Sequence, residues 1–323
     1  MKKIITLAVI MVATLSVFMA YTHYKNGNDY SYDIQDQPLV DVESWVYQLQ
    51  DADPDLIASS DFDLIVMDYS ADGTEENKYT LEEINNIEEN GIIPIAYISI
   101  GEAEDYRFYW QDEWNKNPPS WLGKENTEWV GNYKVKYWEE GWKTIVKEYL
   151  DKVINQGFLG VYLDIIDGFE YWSDPDNGED IHPSEKETAG RMIDFLVEIA
   201  SYCRDEKGKA GFYIIPQNGE RILDYDADGS YLETISGIGV ESIWYDGITP
   251  LPSSDVEERI QYLDDISGAD KVVFSVDYVD DGTGYFGENK HRIDDYLTKA
   301  SNKGYISYVA RSDFELDELN NPF

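Results

Sequence analysis

Two hydrophobic rhythms alternate along this chain. Short runs rich in Val, Ile and Tyr are separated by stretches in which apolar residues recur every three to four positions. The runs predict eight strands: Ser44 to Leu49, Leu64 to Tyr69, Ile92 to Ile100, Val161 to Ile166, Gly211 to Ile215, Gly239 to Trp244, Lys271 to Val276 and Tyr305 to Val309. Most are near-continuously apolar, as in strands covered on both faces. Helical spacing fills several of the intervals, over Leu81 to Glu89, Trp142 to Gln156, Lys186 to Arg204, Val256 to Ile266 and Arg292 to Asn302. Gly91, Gly157, Gly208 and Gly304 follow these stretches at the position where a left-handed residue ends a helix. Repeated strand–helix units with eight strands predict an α/β fold, a (β/α)8 TIM barrel in one domain over residues 41–323. The alternative is an open doubly wound sheet, but no GxGxxG follows the first strand. The alternation is broken most by Glu102 to Glu140, which carries Trp110, Trp114, Trp121, Trp129 and Trp138. It is expected to be an excursion on one barrel face, with a short strand at Tyr133 to Tyr137.

The first 40 residues do not fit the pattern. Met1-Lys2-Lys3 is a short basic start, and Ile4 to Thr22 is uncharged and mostly apolar. As a helix it would span about 28 Å, close to the hydrocarbon thickness of a membrane. Residues 1–22 read as a signal peptide or an uncleaved membrane anchor, and 23–40 as a linker. Ala20 offers a small residue for cleavage, whereas Phe18 departs from the small-residue rule, and no Cys follows to carry a lipid. The protein is expected to be secreted or membrane-anchored, outside the cytoplasm.

Composition narrows the function. With 25 basic and 65 acidic residues the formal charge is −40, which argues against nucleic acid as a partner, since phosphate contacts need Lys and Arg. The charge suits either a cationic substrate or a generally acidic surface. The 26 Tyr and 9 Trp suit either an aromatic core or a groove that stacks sugar rings. Cys203 is the only cysteine, so an intramolecular disulfide and multi-thiolate zinc sites are excluded. There is no GxSxG elbow and no P-loop, and His23, His182 and His291 lie away from predicted strand ends. Asp224-x-Asp226-x-Asp228-Gly229 opens like a calcium loop but has Ile235 at its twelfth position, so an ordinary acidic turn is the preferred reading. No metal or cofactor is expected.

In barrels of this kind functional groups lie at the C-terminal strand ends. Here Asp164 and Glu241 are single acids embedded in apolar strands, which is costly unless each faces a solvated or hydrogen-bonded site. Glycoside cleavage needs two such acids, one to protonate the leaving oxygen and one to attack the sugar or activate water. The other reading is a pair of buried acids held by Arg or Lys.

Four ordered blocks carry a family likeness: Tyr97 to Arg107 (YISIGEAEDYR), Gly131 to Trp138 (GNYKVKYW), Gly157 to Asp167 (GFLGVYLDIID) and Gly237 to Tyr245 (GIGVESIWY). Together they resemble the extracellular endo-α-1,4-polygalactosaminidases and their relatives, glycoside hydrolase family 114, from about Trp45 to Arg311. The resemblance implies a (β/α)8 barrel, export, and cofactor-free hydrolysis of a galactosamine-containing glycan. It implies Asp164 as nucleophile and Glu241 as acid/base, or the same pair with roles exchanged. It further suggests Asp68, Tyr97, Glu102, Asp167, Gln217, Trp244, Asp277 and Arg311 as sugar-binding groups. Many members have Pro-Asp-Asn around the first acid where this chain has Leu163-Asp164-Ile165, which marks a divergent branch. The alternative function is a catalytically inactive glycan-binding barrel at the cell surface.

Overall fold

The computed structural model describes residues 39–323. The expected signal or anchor over 1–22, and the linker up to residue 38, lie outside the described residues. Eight parallel strands follow one another in space in the order of the chain: β1 (Trp45–Tyr47), β2 (Leu64–Met67), β3 (Ile93–Ser99), β4 (Gly160–Asp164), β5 (Tyr213–Pro216), β6 (Gly237–Glu241), β7 (Val272–Asp280) and β8 (Ile306–Arg311). Ladders join β1 through β5 and β6 through β8. Between β5 and β6 the sheet continues through a parallel bridge of Gln217 with Gly239 and a hydrogen bond from Ser236 N to Ile214 O at 2.8 Å. The β8–β1 seam is closed by side chains, with Trp45 Nε1 donating to Ile306 O at 3.0 Å. The architecture is the (β/α)8 barrel.

Helices connect the strands: α1 (Pro54–Ala58), α2 (Leu81–Glu89), α3 (Glu140–Gln156), α4 (Gly168–Ser173), α5 (Glu185–Ser201), α6 (Ser230–Thr234), α7 (Ser253–Gly268) and α8 (Gly287–Lys303). Helix α2 starts in a capping box, in which Thr80 and Glu83 satisfy each other's backbone N–H groups. Helices α3 and α8 end on left-handed Gly157 and Gly304. The predicted Lys186–Arg204 helix instead stops being α-helical at Ser201 and continues as a π turn over Tyr202–Glu206.

Aromatic rings fill the barrel interior. Trp45 packs on Tyr47, Tyr162, Phe274 and Tyr308 with ring centroids 5.3–6.3 Å apart. Gly239 makes this possible, because a Cβ there would lie 1.9 Å from the Tyr162 hydroxyl. The period of two along a strand then sets the site. Trp45 and Tyr47, Tyr162 and Asp164, and Gly239 and Glu241 are inward pairs two residues apart, with the later member nearer the C-terminal mouth.

Residues 102–139 form more than a loop. They fold into a three-stranded antiparallel sheet, Glu102–Glu104, Asn132–Val135 and Leu122–Glu125 in that spatial order. The expected strand at Tyr133 to Tyr137 is its middle strand, shifted to Asn132–Val135. Trp110, Trp114, Trp121 and Trp142 form a chain of ring contacts that docks the excursion onto α3.

Candidate active site at the barrel mouth

A cavity of about 610 Å3 opens at the C-terminal ends of the strands. Its floor holds Asp164 from the end of β4 and Glu241 from the end of β6. Among the described residues no Lys or Arg side chain makes an ion pair with either carboxylate. Their partners are neutral. Asp164 accepts from the Tyr97 hydroxyl at 2.6 Å and from Ile165 N at 2.7 Å. Glu241 accepts from the Tyr278 hydroxyl and Gln217 Nε2, and from Asn218 Nδ2 at 3.3 Å. Tyr47 donates to Gln217 Oε1 at 3.1 Å and so orients the amide from below. Burial, and secondarily the charge of Glu241, push the Asp164 carboxyl up to about 8. Burial likewise raises Glu241, while hydrogen bonds from Tyr278, Gln217 and Asn218, and then the charge of Arg259, which donates to the Glu241 backbone carbonyl at 2.8 Å, oppose the rise.

Three strand ends terminate in the same unusual way. Ile165, Asn218 and Ser242, which directly follow Asp164, Gln217 and Glu241, have φ of 61°, 53° and 50°. Left-handed backbone at non-glycine residues is uncommon, and at β-branched Ile165 it is a clear outlier. It costs on the order of 1–3 kcal/mol per residue and clusters at functional sites. It also explains why β4 and β6 end earlier than the apolar runs predict, at Asp164 rather than Ile166 and at Glu241 rather than Trp244. Gly101 accommodates the turn at Ile165, since a Cβ there would meet Ile165 O at 2.3 Å.

One wall holds a second group of acids. Arg107 donates to Asp68 Oδ2 at 2.6 Å and to Glu104 at 2.6 and 3.2 Å, with all three side chains buried. Burial raises the Asp68 carboxyl to about 6, with Arg107 holding it back. Glu102 pairs with Lys134 and accepts from Asn126 at 3.0 Å. Tyr106, Trp129 and the C-terminal residues Phe314 to Leu316 complete the rim.

The cavity therefore brings together Asp164, Glu241, Asp68, Tyr97, Glu102 and Gln217. Asp167, Trp244, Asp277 and Arg311 lie outside its lining. Asp167 is exposed at the start of α4. Trp244 is buried against Tyr296 and Tyr305. Asp277 is fully buried, and its carboxylate accepts from the backbone N–H groups of Ile243, Trp244 and Tyr245 at 2.9–3.0 Å, fixing the loop after β6. Arg311 pairs with Glu318 and Asp313. Tyr47, Glu104, Arg107, Asn218 and Tyr278 were not singled out from the sequence. Strand parity carries the missing signal for Tyr278: its hydroxyl reaches Glu241, whereas the adjacent Asp277 faces the other side of β7.

The acidic turn closes on itself, with Asp226 accepting from Tyr231 N and Leu232 N and Asp228 from Ser230 N. No group of three or more His, Cys, Asp and Glu suited to a metal ion occurs among the described residues.

Comparison with known proteins agrees with this architecture. A family model described as glycoside-hydrolase family GH114 matches residues 31–321. An uncharacterised protein of Methanocaldococcus jannaschii is 57% identical over 276 residues, covering 85% of this chain and 78% of the relative. One from Thermotoga maritima is 50% identical over 278 residues, covering 86% and 83%. Among solved structures, the glycoside hydrolase domain of PelA from Pseudomonas aeruginosa aligns with a TM-score of 0.64 at 17% identity, over 87% of this chain and 98% of that one. Aspergillus fumigatus Ega3 in complex with galactosamine aligns with a TM-score of 0.60 at 18% identity, over 89% and 97%. The chain belongs to glycoside-hydrolase family GH114.

Proposed function

We propose that this glycoside hydrolase cleaves a galactosamine-containing polysaccharide internally, outside the cytoplasm, with Asp164 and Glu241 as its two catalytic carboxylates. The observation that carries the reading is that both acids face one cavity without a cationic partner. Two carboxylates that raise each other's proton affinity titrate as a pair, and between their two ionisations they hold one proton. Glycoside cleavage needs that state. With the proton on Glu241, the charge that most raises Asp164 after burial itself is removed, which favours ionisation of Asp164. Tyr97 and Ile165 N then hold the charged Asp164 for attack on the anomeric carbon or on water. Glu241 protonates the departing glycosidic oxygen. The network accommodates both states of Glu241, since a half-turn of the Gln217 amide presents its oxygen to a protonated carboxyl and its N–H2 to Tyr47.

The substrate class follows from charge. The lining includes Asp68, Asp72, Glu102, Glu104 and Glu315 besides the catalytic pair, with Arg107 the one cation among the lining residues. Such a cavity favours a sugar carrying free ammonium groups, and galactosamine is the ligand named for the structurally similar Ega3. The apolar Ile4–Thr22 stretch supports export.

The test is reducing-end release by the wild-type protein across a panel that includes partially deacetylated poly-galactosamine, N-acetylated polymer and neutral glycans, with binding measured in parallel. Release of oligomers from the partially deacetylated polymer is expected. Binding without cleavage of any member would replace the hydrolase with a glycan-binding barrel.

A further inference from the structure

The chain after β8 does not leave the barrel. It folds back over the β8–β1 seam, where the strands share no backbone ladder. Leu49 N and Gln50 N both donate to Leu316 O, at 2.9 and 3.1 Å. Gln50 Nε2 donates to Glu315 O, and Gln48 Nε2 to Asp317 O, each at 3.0 Å. This clamp holds two bulky residues in left-handed backbone, Phe314 at φ 65° and Leu316 at φ 50°. Conformations of this kind persist only where surrounding contacts impose them.

The clamp sets the Phe314 ring on Tyr278, with centroids 4.3 Å apart and planes at 32°. Tyr278 in turn donates its hydroxyl to Glu241. Phe314 nevertheless remains 42% exposed and lines the cavity. A phenyl ring has no polar tip to satisfy in water, so its packing on Tyr278 does not account for holding it half-open in a strained turn at the cavity mouth.

We propose that the segment after β8 is a substrate-positioning element, with Phe314 as a stacking platform for the apolar face of a pyranose ring bound beside Glu241. The proposal rests on the function proposed above and adds a subsite to it. Sugars of the galacto configuration suit the platform, because their axial 4-hydroxyl leaves the hydrogens on C3, C4 and C5 together on one face. That C–H patch carries partial positive charge and lies against the electron-rich face of an aromatic ring.

The test compares wild type with Phe314→Ala, Phe314→Leu and Phe314→Trp on partially deacetylated poly-galactosamine. Phe314→Leu keeps apolar bulk without the aromatic face and guards against a misfolded Ala variant, with melting followed for all three. KM is expected to rise about tenfold in the Ala and Leu variants, with kcat within about threefold, and Trp is expected to restore KM. The alkaline limb of the pH profile should stay in place. An unchanged KM in the Ala and Leu variants would overturn the platform while leaving the proposed function intact. A KM rise accompanied by a shifted pH limb would also overturn it, making Phe314 a prop for Tyr278 and Glu241. A wild type that neither cuts nor binds any galactosamine polymer removes the proposed function and the platform with it.

Discussion

Two sets of carboxylates line one cavity, buried on the wall and half-buried on the floor, and are treated in opposite ways. On the wall, Asp68 and Glu104 share the Arg107 guanidinium, and Glu102 takes Lys134. On the floor, Asp164 and Glu241 receive only hydroxyl, amide and backbone donors. Asp68 is the more buried acid, yet its carboxyl is raised only to about 6, whereas Asp164 is raised to about 8. The difference lies in the neighbouring charge: Arg107 lowers Asp68, whereas Glu241 raises Asp164. A guanidinium offsets part of the cost of burying charge, and the neutral donors on the floor offset part of it as well without supplying an opposite charge. Arg107 thereby holds Asp68 toward its charged form, whereas Asp164 is left with a proton to exchange near pH 8. The reading of buried acids held by Arg or Lys thus describes Asp68 and Glu104, not Asp164 and Glu241.

The largest expected effect breaks the wall. Arg107→Ala strands two buried carboxylates and should destabilise the fold by about 3–5 kcal/mol, read from denaturant midpoints at pH 7. Asp68→Asn in the same background should recover part of the loss. Next, Asp277→Ala removes the acceptor for three backbone N–H groups in the loop after β6, and about 2–3 kcal/mol of destabilisation is expected by the same measurement. The floor is sharpened by pH. On the proposed mechanism activity requires one proton on the pair, so kcat/KM should fall as pH rises through the pair's upper ionisation, which burial of both acids places above the usual carboxylate range. The Tyr97 hydrogen bond favours the charged form of Asp164 and lowers its proton affinity. Tyr97→Phe should therefore move this limb upward, by roughly one pH unit. The smallest effect lies at the outer rim, where Trp129 is 63% exposed. Trp129→Ala should raise KM on polymer by about threefold and leave melting unchanged, as expected for a surface residue.

The barrel was legible because strands covered on both faces write continuous apolar runs, and all eight runs became strands. Asp164 and Glu241 were legible for the same reason, as acids interrupting such runs. Asp277 also interrupts one, and a single acid in a strand does not reveal which face it occupies. Only the fold shows that it anchors the loop at Ile243 to Tyr245 while Tyr278 faces the cavity. The Glu102–Glu140 excursion announced itself through its Trp residues, but its pairing is non-local and weakly patterned. The Phe314 segment left no trace, because the twelve residues after the last strand are polar-rich, and their order comes from hydrogen bonds with Gln48 to Gln50, just after β1. The left-handed turns after Asp164, Gln217 and Glu241 were hidden too, since Ile, Asn and Ser do not announce positive φ as glycine does.

The central claim is that two carboxylates without an ion-pair partner on the barrel floor perform the cleavage. Reducing-end release from partially deacetylated poly-galactosamine, compared among wild type, Asp164→Asn and Glu241→Gln, tests it most directly. Each single amide should cost at least about 100-fold in kcat. Asp164→Asn should melt no lower than wild type at pH 7, because the raised Asp164 carboxyl must take up a proton on folding at that pH and an amide need not. Near-wild-type turnover in either variant would contradict the account.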